Sequence, residues 1–491
     1  DDFRGSFGND SFFGSLSTMS VNDEIDGAGG TDNLEVFVNS ANLGELSLPS
    51  SENIFNLEEI VLQLEDTPAV SADDQLISLS GYSSVKNIKM VGGSTVDGAS
   101  LIVDLAEYQS LQLFNFQDGD VETNLLEDGG LTISHSLGAE SFELYIEGVG
   151  KNIPSTSSAL VVQLDNVNLE EINLTVAGDN TLLIQNTVDQ SARINVSGSG
   201  TTDLGVLPSS IFDLNAASST VHLSLIIENN IPNVTTGIGN DAITVTGGQT
   251  SIITGDGNDI LNLLGGLAQV STQNDGDDVT ISGGNQNVDT GTGEDIVSIS
   301  DGATSLSTGT NNDIVDVSGG KNTLNTGHGD DAVSLSGGTN TLNSGSGNDT
   351  ISLISGENIV NAGDGDDIIT VSGGINELDG GLGNDRLNII SSEILGYLRY
   401  PTEKKMFTPK NSPETNEWYY YDLKEIQKYF QIDINQKFFI KNMTKYSEEF
   451  LFPSTAKHNF SNNHLQYAIT WFLMSFSILI IYIIYLIRKY K

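Results

Sequence analysis

Residues 326–343 read TGHGDDAVSLSGGTNTLN, and the same eighteen-residue phrase starts at Thr236, Thr254, Thr272, Thr290, Thr308, Thr326, Ser344 and Ala362, with part of a ninth copy from Gly380. The sixth position is aspartate in every copy: Asp241, Asp259, Asp277, Asp295, Asp313, Asp331, Asp349, Asp367 and Asp385. Positions two and four are mostly glycine, as in Gly237 and Gly239, Gly255 and Gly257, Gly291 and Gly293, Gly327 and Gly329, Gly345 and Gly347, and Gly363 and Gly365. Paired glycines suit a tight loop in which the chain visits positive φ. Positions eight and ten are always aliphatic, for example Val333 and Leu335, with position nine usually polar, which is the period of a strand with one buried face. Position seventeen is aliphatic too, as in Leu324, Leu342 and Leu378, and marks a second short strand. Each unit therefore reads as loop, strand, turn, strand.

One such unit cannot bury its aliphatic residues alone, whereas turns stacked at about 4.8 Å give a continuous narrow core. The expected fold is all-β, a parallel β-roll or β-solenoid of 18-residue turns over residues 236–396. Stacking brings the loop aspartates into a ladder along one edge. Two carboxylates about 5 Å apart repel by roughly 3 kcal/mol at an effective dielectric near 20. Ca2+ answers that repulsion, because it accepts about six to eight oxygens in a flexible arrangement that carboxylates and loop carbonyls of adjacent turns can supply together. Magnesium, with its strict octahedron and retained waters, suits the loops less well.

The phrase TGxGxDxUx resembles the glycine-rich nonapeptide of the RTX, or hemolysin-type, calcium-binding proteins, and the resemblance covers residues 236–389. It implies several Ca2+ ions held by the loops, folding after export into calcium-rich surroundings, and a secreted or cell-surface bacterial protein. Two features depart from that pattern. In the second half of each unit the aspartate position holds Thr250, Ala268, Gln286, Thr304, Asn322, Asn340, Asn358 and Asn376, so one edge is expected to bind metal and the other to carry a partial amide ladder. The third unit, TQNDGDDVTISGG, lacks both loop glycines and sets Asp275 and Asp278 beside Asp277. Two isolated copies occur near the start, GSFGNDSF with Asp10 and GAGGTDNL with Asp32 in the ligand place. The second lies in VNDEIDGAGGTDNLEV, which is similar to segments of large secreted surface-layer-like proteins.

The remaining sequence frames this array. Residues 1–235 hold many short β segments, including Leu34 to Val38, Ile60 to Leu64, Leu101 to Leu105, Phe142 to Ile146, Ala159 to Leu164 and Val221 to Ile227. Their irregular spacing fits an irregular solenoid better than sandwiches. After Gly396 the composition changes: residues 399–491 hold 13 of the 20 basic residues and 8 of the 66 acidic ones. Residues 397–464 read as a linker, and Leu465 to Ile487 as an uncharged apolar run about 35 Å long when helical, enough for a transmembrane helix. The basic tail, 488–491, would then be cytoplasmic and everything before the span outside. The compositional break suits equally a native anchor or a chimeric or frame-shifted join.

A formal charge of −46 makes nucleic acid an unfavourable partner. The absence of cysteine leaves neither disulfides nor thiolate zinc sites, so any metal is hard and oxygen-bound. The sequence opens at Asp1 and shows no charged stretch followed by an apolar run near the start, so a secretion signal is expected to be absent or lost with a missing N-terminus. Five scattered histidines, no HExxH and no GxSxG give no catalytic constellation, so no enzyme is expected in the visible sequence. The acidic stretch DGDD at 364–367 lacks the flanking helices and the later glutamate of an EF-hand. Position three, from Ile238 through Asp256, His328 and Leu382, is no regular array of the kind that ice binding needs. The expected role is calcium-dependent assembly or display at a cell surface, as a surface-layer or adhesin component, with self-assembly or cell-surface components as partners. The alternative is a piece of a secreted calcium-dependent enzyme or toxin whose catalytic domain lies upstream.

Overall fold

The computed structural model describes residues 1–15, 17–39, 48–65, 75–93, 101–117, 130–135, 139–150, 160–165, 169–186 and 192–390, together with the short strands Leu398–Arg399, Phe439–Ile440 and Phe450–Leu451. Among these residues regular structure is β throughout, apart from a single 3-10 turn at Ser51–Asn53. No helix among them is long and apolar enough to cross a membrane. The apolar run 465–487 and the tail 488–491 lie outside the described residues, as does most of the linker 397–464.

Two parallel sheets face each other across a narrow core. The outbound sheet takes the first strand of each repeat, among them Ala242–Val245, Ile260–Leu263, Asp278–Ile281, Ile296–Ile299 and, at the far end, Arg386–Ile389. The return sheet takes the second strand, from Gln249–Gly255 and Leu267–Ser271 to Ile375–Asp379. Register is set by the repeat: Ile243 faces Leu261, Leu261 faces Val279 and Val279 faces Val297, while Ile252 faces Val270 and Val270 faces Val288. Alternation along each strand decides which side is buried. In Ala332–Leu335 only Val333 and Leu335 point inward, and in Thr339–Asn343 only Asn340 and Leu342 do. Each fully buried aliphatic side chain contributes roughly 1.5–3 kcal/mol relative to exposure. A unit with three of them depends on its neighbours for the rest.

The sheets pass through residue 235 without a break. Thr220–Ile227 pairs with Ala242–Val245 on the outbound side, and Ile211–Asn215 pairs with Ile231–Gly237 on the return side. Further back the turns lengthen and vary: Leu34 faces Ile60, Ile60 faces Ile88, Ile88 faces Leu111, Leu111 faces Leu144, and Leu144 faces Leu174. The irregular solenoid expected from the spacing is therefore present, with all six named β segments inside its strands except Ala159, which lies outside the described residues. Wider turns take larger side chains, so Phe116 and Phe142 fill the core here, where valine and leucine suffice in the repeats. At the other end, Phe450–Leu451 runs antiparallel to the last outbound strand, opposite Arg386 and Leu387.

Candidate metal centre: a buried carboxylate ladder

Each repeat loop is held open by its glycines. Gly345 and Gly347 have φ of 103° and 131°, and a Cβ on either would stand 2.0 Å from a carbonyl oxygen of the turn before, that of Gly327 or Gly329. Both conditions exclude a side chain: left-handed backbone disfavours one, and the stacked loop leaves no room for one. The third unit shows what happens without glycine. Gln273 and Asp275 take φ of 73° and 71°, so the loop keeps its path with strained residues. Asp277 stays buried there, and its N–H donates to Asp295 Oδ1 at 2.9 Å like its neighbours. The departure in sequence is thus not a departure in shape.

The loop path turns the sixth-position aspartates inward. All nine are buried, between 0 % and 5 % exposed, rather than lying along an open edge. Each carboxylate reaches back to the matching residue one turn earlier: the N–H of Asp241 donates to Asp259 Oδ1 at 2.8 Å, that of Asp331 to Asp349 Oδ1 at 2.9 Å, and that of Asp349 to Asp367 Oδ1 at 2.8 Å. The second oxygen is different. In Asp241, Asp259, Asp277, Asp313, Asp331, Asp349, Asp367 and Asp385, Oδ2 is buried with no hydrogen-bond donor. In Asp295 it accepts from Thr290 Oγ1 at 2.5 Å. A buried anionic oxygen without a partner is expensive in free energy.

Burial accordingly raises the carboxylates' affinity for protons. Asp259, Asp277 and Asp313 are pushed up to about 7, first by desolvation and then by neighbouring carboxylates, against the lowering effect of nearby threonine hydroxyls and of the backbone N–H donors to Oδ1. Asp241 and Asp367 are pushed up to about 6, again mainly by desolvation. Asp295, Asp331, Asp349 and Asp385 shift upward for the same first reason. The column is a row of oxygen bases short of positive charge. Among the described residues no three His, Cys, Asp or Glu side chains converge on one point, so a cation in this column would complete its shell with backbone oxygens.

A second ladder runs beside the first and was not read from the sequence. The fifth-position side chains reach forward along the stack: the N–H of Asn258 donates to Asn240 Oδ1 at 3.1 Å, that of Asp330 to Asn312 Oδ1 at 2.8 Å, and that of Asp366 to Asn348 Oδ1 at 2.9 Å. Its signal was the Asn or Asp standing before most ladder aspartates, masked because such residues are also ordinary turn formers. The opposite edge carries the expected amide ladder, entirely buried. Asn322 Nδ2 donates to Asn340 Oδ1, Asn340 to Asn358 and Asn358 to Asn376, at 2.8, 2.8 and 2.7 Å. These amides find their partners within the protein, apart from Asn322 Oδ1 at the start of the run.

Asp10 and Asp32 form a separate, shorter column that precedes strands of the return sheet. The N–H of Asp10 donates to Asp32 Oδ1 at 2.7 Å, and Asp32, fully buried, keeps Oδ2 without a donor. The N–H of Asp32 in turn donates to Glu58 Oε2 at 2.8 Å, which makes Glu58 the third member. Glu58 was missed because its turn is longer and its side chain one methylene larger. It does stand two residues before buried Ile60, as Asp32 stands before Leu34. His328 is exposed and meets Ser346 Oγ at 2.5 Å, and exposed His222 accepts from the N–H of Asn240 through Nδ1 at 2.6 Å, beside Asp241 at the start of the column.

Similarity to known proteins falls at the other end of the chain. Residues 360–476 match the SURF1 family model. A SURF1-like protein of Rickettsia conorii is 34% identical over 97 residues, 19% of this chain and 40% of that protein. Its counterparts in Rickettsia felis and Rickettsia prowazekii are 33% and 34% identical over the same length. The chain spans about two fifths of the length of these relatives. The match takes in the last repeats, the compositional break and the start of the apolar run. The carboxylate ladder from Asp241 to Asp349 lies before it.

Proposed function

We propose that this is a calcium-binding protein of the bacterial cell surface, in which residues 236–390 form a β-roll loaded with several Ca2+ ions. The observation that carries this reading is the column of eight buried aspartate oxygens without a donor. Asp241, Asp259, Asp277, Asp313, Asp331, Asp349, Asp367 and Asp385 would hold the ions, with Asp295 in the same column and backbone oxygens of the glycine loops completing the shells. The ion supplies positive charge where desolvation and repulsion now oppose ionisation. Asp32, with Asp10 and Glu58, offers a further position of the same kind. The resemblance of the repeats to RTX proteins supports the same assignment and, with it, an extracellular address.

The role that follows is mechanical: a stiff module that folds only where calcium is abundant, displayed or assembled at the surface as in surface-layer or adhesin proteins. The apolar run 465–487, with Arg488, Lys489 and Lys491 after it, would anchor the chain by a single span. The SURF1-like similarity supports treating the tail as a module of different origin from the roll. The test is hydrogen exchange of the full chain in chelator and at increasing Ca2+, with Mg2+ as control. Protection of the amides of Asp241 to Asp367 is expected with calcium alone; equal protection in chelator sinks the assignment.

A further inference from the structure

Away from the ladders, the outer face of the return sheet carries a cleft of about 500 Å³. It arises from a step in the sheet. Leu111 faces Leu144, so the strand Ser141–Glu147 starts two residues earlier in register than Ser110–Phe114, and Tyr108 sits in the turn where the shorter strand would have begun. That turn is rigid. Buried Gln109 accepts from the N–H of Ala106 at 2.7 Å and donates to the carbonyls of Leu79 and Val85 at 3.1 and 3.2 Å. Tyr108 is thereby held half-exposed over the notch, at 51 %.

The lining is polar with aromatic walls: Lys86, Tyr108, Gln112, Glu143, Tyr145 and Thr175 all border the cleft. The Glu143 carboxylate is fixed by Asn173 Nδ2 at 2.7 Å. The Tyr145 ring packs 5.0 Å from Phe114, whose other neighbour is Lys89 Nζ at 4.2 Å from the ring centre. Glu143 and Tyr145 are thus held in place before any ligand arrives, which lowers the ordering cost of binding.

We propose that this cleft binds a neutral oligosaccharide. A sugar ring offers hydroxyls that donate to Glu143 and accept from Lys86 and Gln112, and a C–H face that lies against tyrosine. Other ligand classes fit the lining less well. A phosphate group would meet Glu107 and Glu143 with only Lys86 in its favour. A lipid chain would need an apolar lining, and among the described residues no set of three acidic or histidine side chains is placed to hold a metal. The volume falls in the ordinary range for small-molecule sites, about 300–1,000 Å³, and holds a few sugar units. This inference does not depend on calcium in the roll.

The test is calorimetric titration of the full chain, in calcium-containing buffer, with cellohexaose, chitohexaose, maltohexaose and mannohexaose. One of these is expected to bind with Kd of about 1 mM or tighter. Tyr108→Ala should weaken that affinity at least about tenfold and Glu143→Gln by a smaller factor, while Phe212→Ala, at an exposed aromatic elsewhere, leaves it unchanged. Circular dichroism of each variant controls for folding. No binding of any of the four, or a Tyr108→Ala affinity within about threefold of the parent, would overturn the proposal.

Discussion

Residues 11–235 and 236–390 share two sheets and one core, yet they meet the same problem of stacking in opposite ways. In the first region the turns vary in length, the core takes Phe116, Phe142 and many leucines, and buried polar side chains stand singly rather than in a long column: Asp32 Oδ2 and Thr202 Oγ1 lack a partner, while others are satisfied within the protein. Asn180, for instance, accepts from the N–H of Val149 at 2.9 Å and donates to the carbonyl of Ala177 at 3.1 Å. In the second region every turn is the same size, the core is thin, and eight of the nine ladder carboxylates keep a buried oxygen without a donor. The difference teaches that regularity concentrates a charge which irregularity disperses. A strict period puts like beside like, so an anionic residue in one loop becomes a column, and the column needs a counter-charge from outside.

The largest expected effect separates the regions outright. Chelation of calcium should abolish amide protection in strands such as Val315 to Val317 and Val333 to Leu335 while leaving Ile172 to Val176 protected; hydrogen exchange reads both in one experiment. A cavity in the irregular core should do the reverse. Leu174→Ala is expected to cost about 2–5 kcal/mol, lowering the thermal midpoint of the first region whatever the calcium concentration. Thermal melts with and without chelator check it, and a calcium-dependent loss would blur the comparison.

Smaller effects sharpen it. Gly347→Ala places a Cβ against the Gly329 carbonyl at a φ of 131° and should cost about 1–3 kcal/mol, read as a rise in the calcium concentration at half-folding. In chelator, the roll should respond to pH because its carboxylates titrate higher folded than unfolded. The folded state holds protons that the unfolded chain has released, so stability falls as pH rises from the unfolded value of 3.8 through about 6 to 7. Circular dichroism in chelator should find the β structure of the roll partly recovered at pH 5 and lost at pH 8. The same pair of measurements in saturating calcium should lose that difference. The smallest effect is a gain: Gln273→Gly relieves a left-handed residue with φ of 73° and should stabilise the third turn by about 1 kcal/mol.

The repeats could be read so fully from sequence because a strand's two-residue period and a loop's glycine requirement are local, and an eighteen-residue period repeats the same local message until it has one solution. Val333 inward, Gly327 and Gly329 in the loop and Asp331 at its end follow from spacing alone. So does the amide column from Asn322 to Asn376. The tertiary structure decided what depends on distance in space rather than in sequence. Whether Asp331 faced solvent or core, that Glu58 joins Asp32 and Asp10, that fifth-position side chains clamp successive loops, and that Tyr108 overhangs a step in the sheet were settled only by the register between turns. The physical reason is that burial of a carboxylate and the partnering of its second oxygen are properties of the neighbouring turn, which in the irregular region stands anywhere from 19 to 33 residues away.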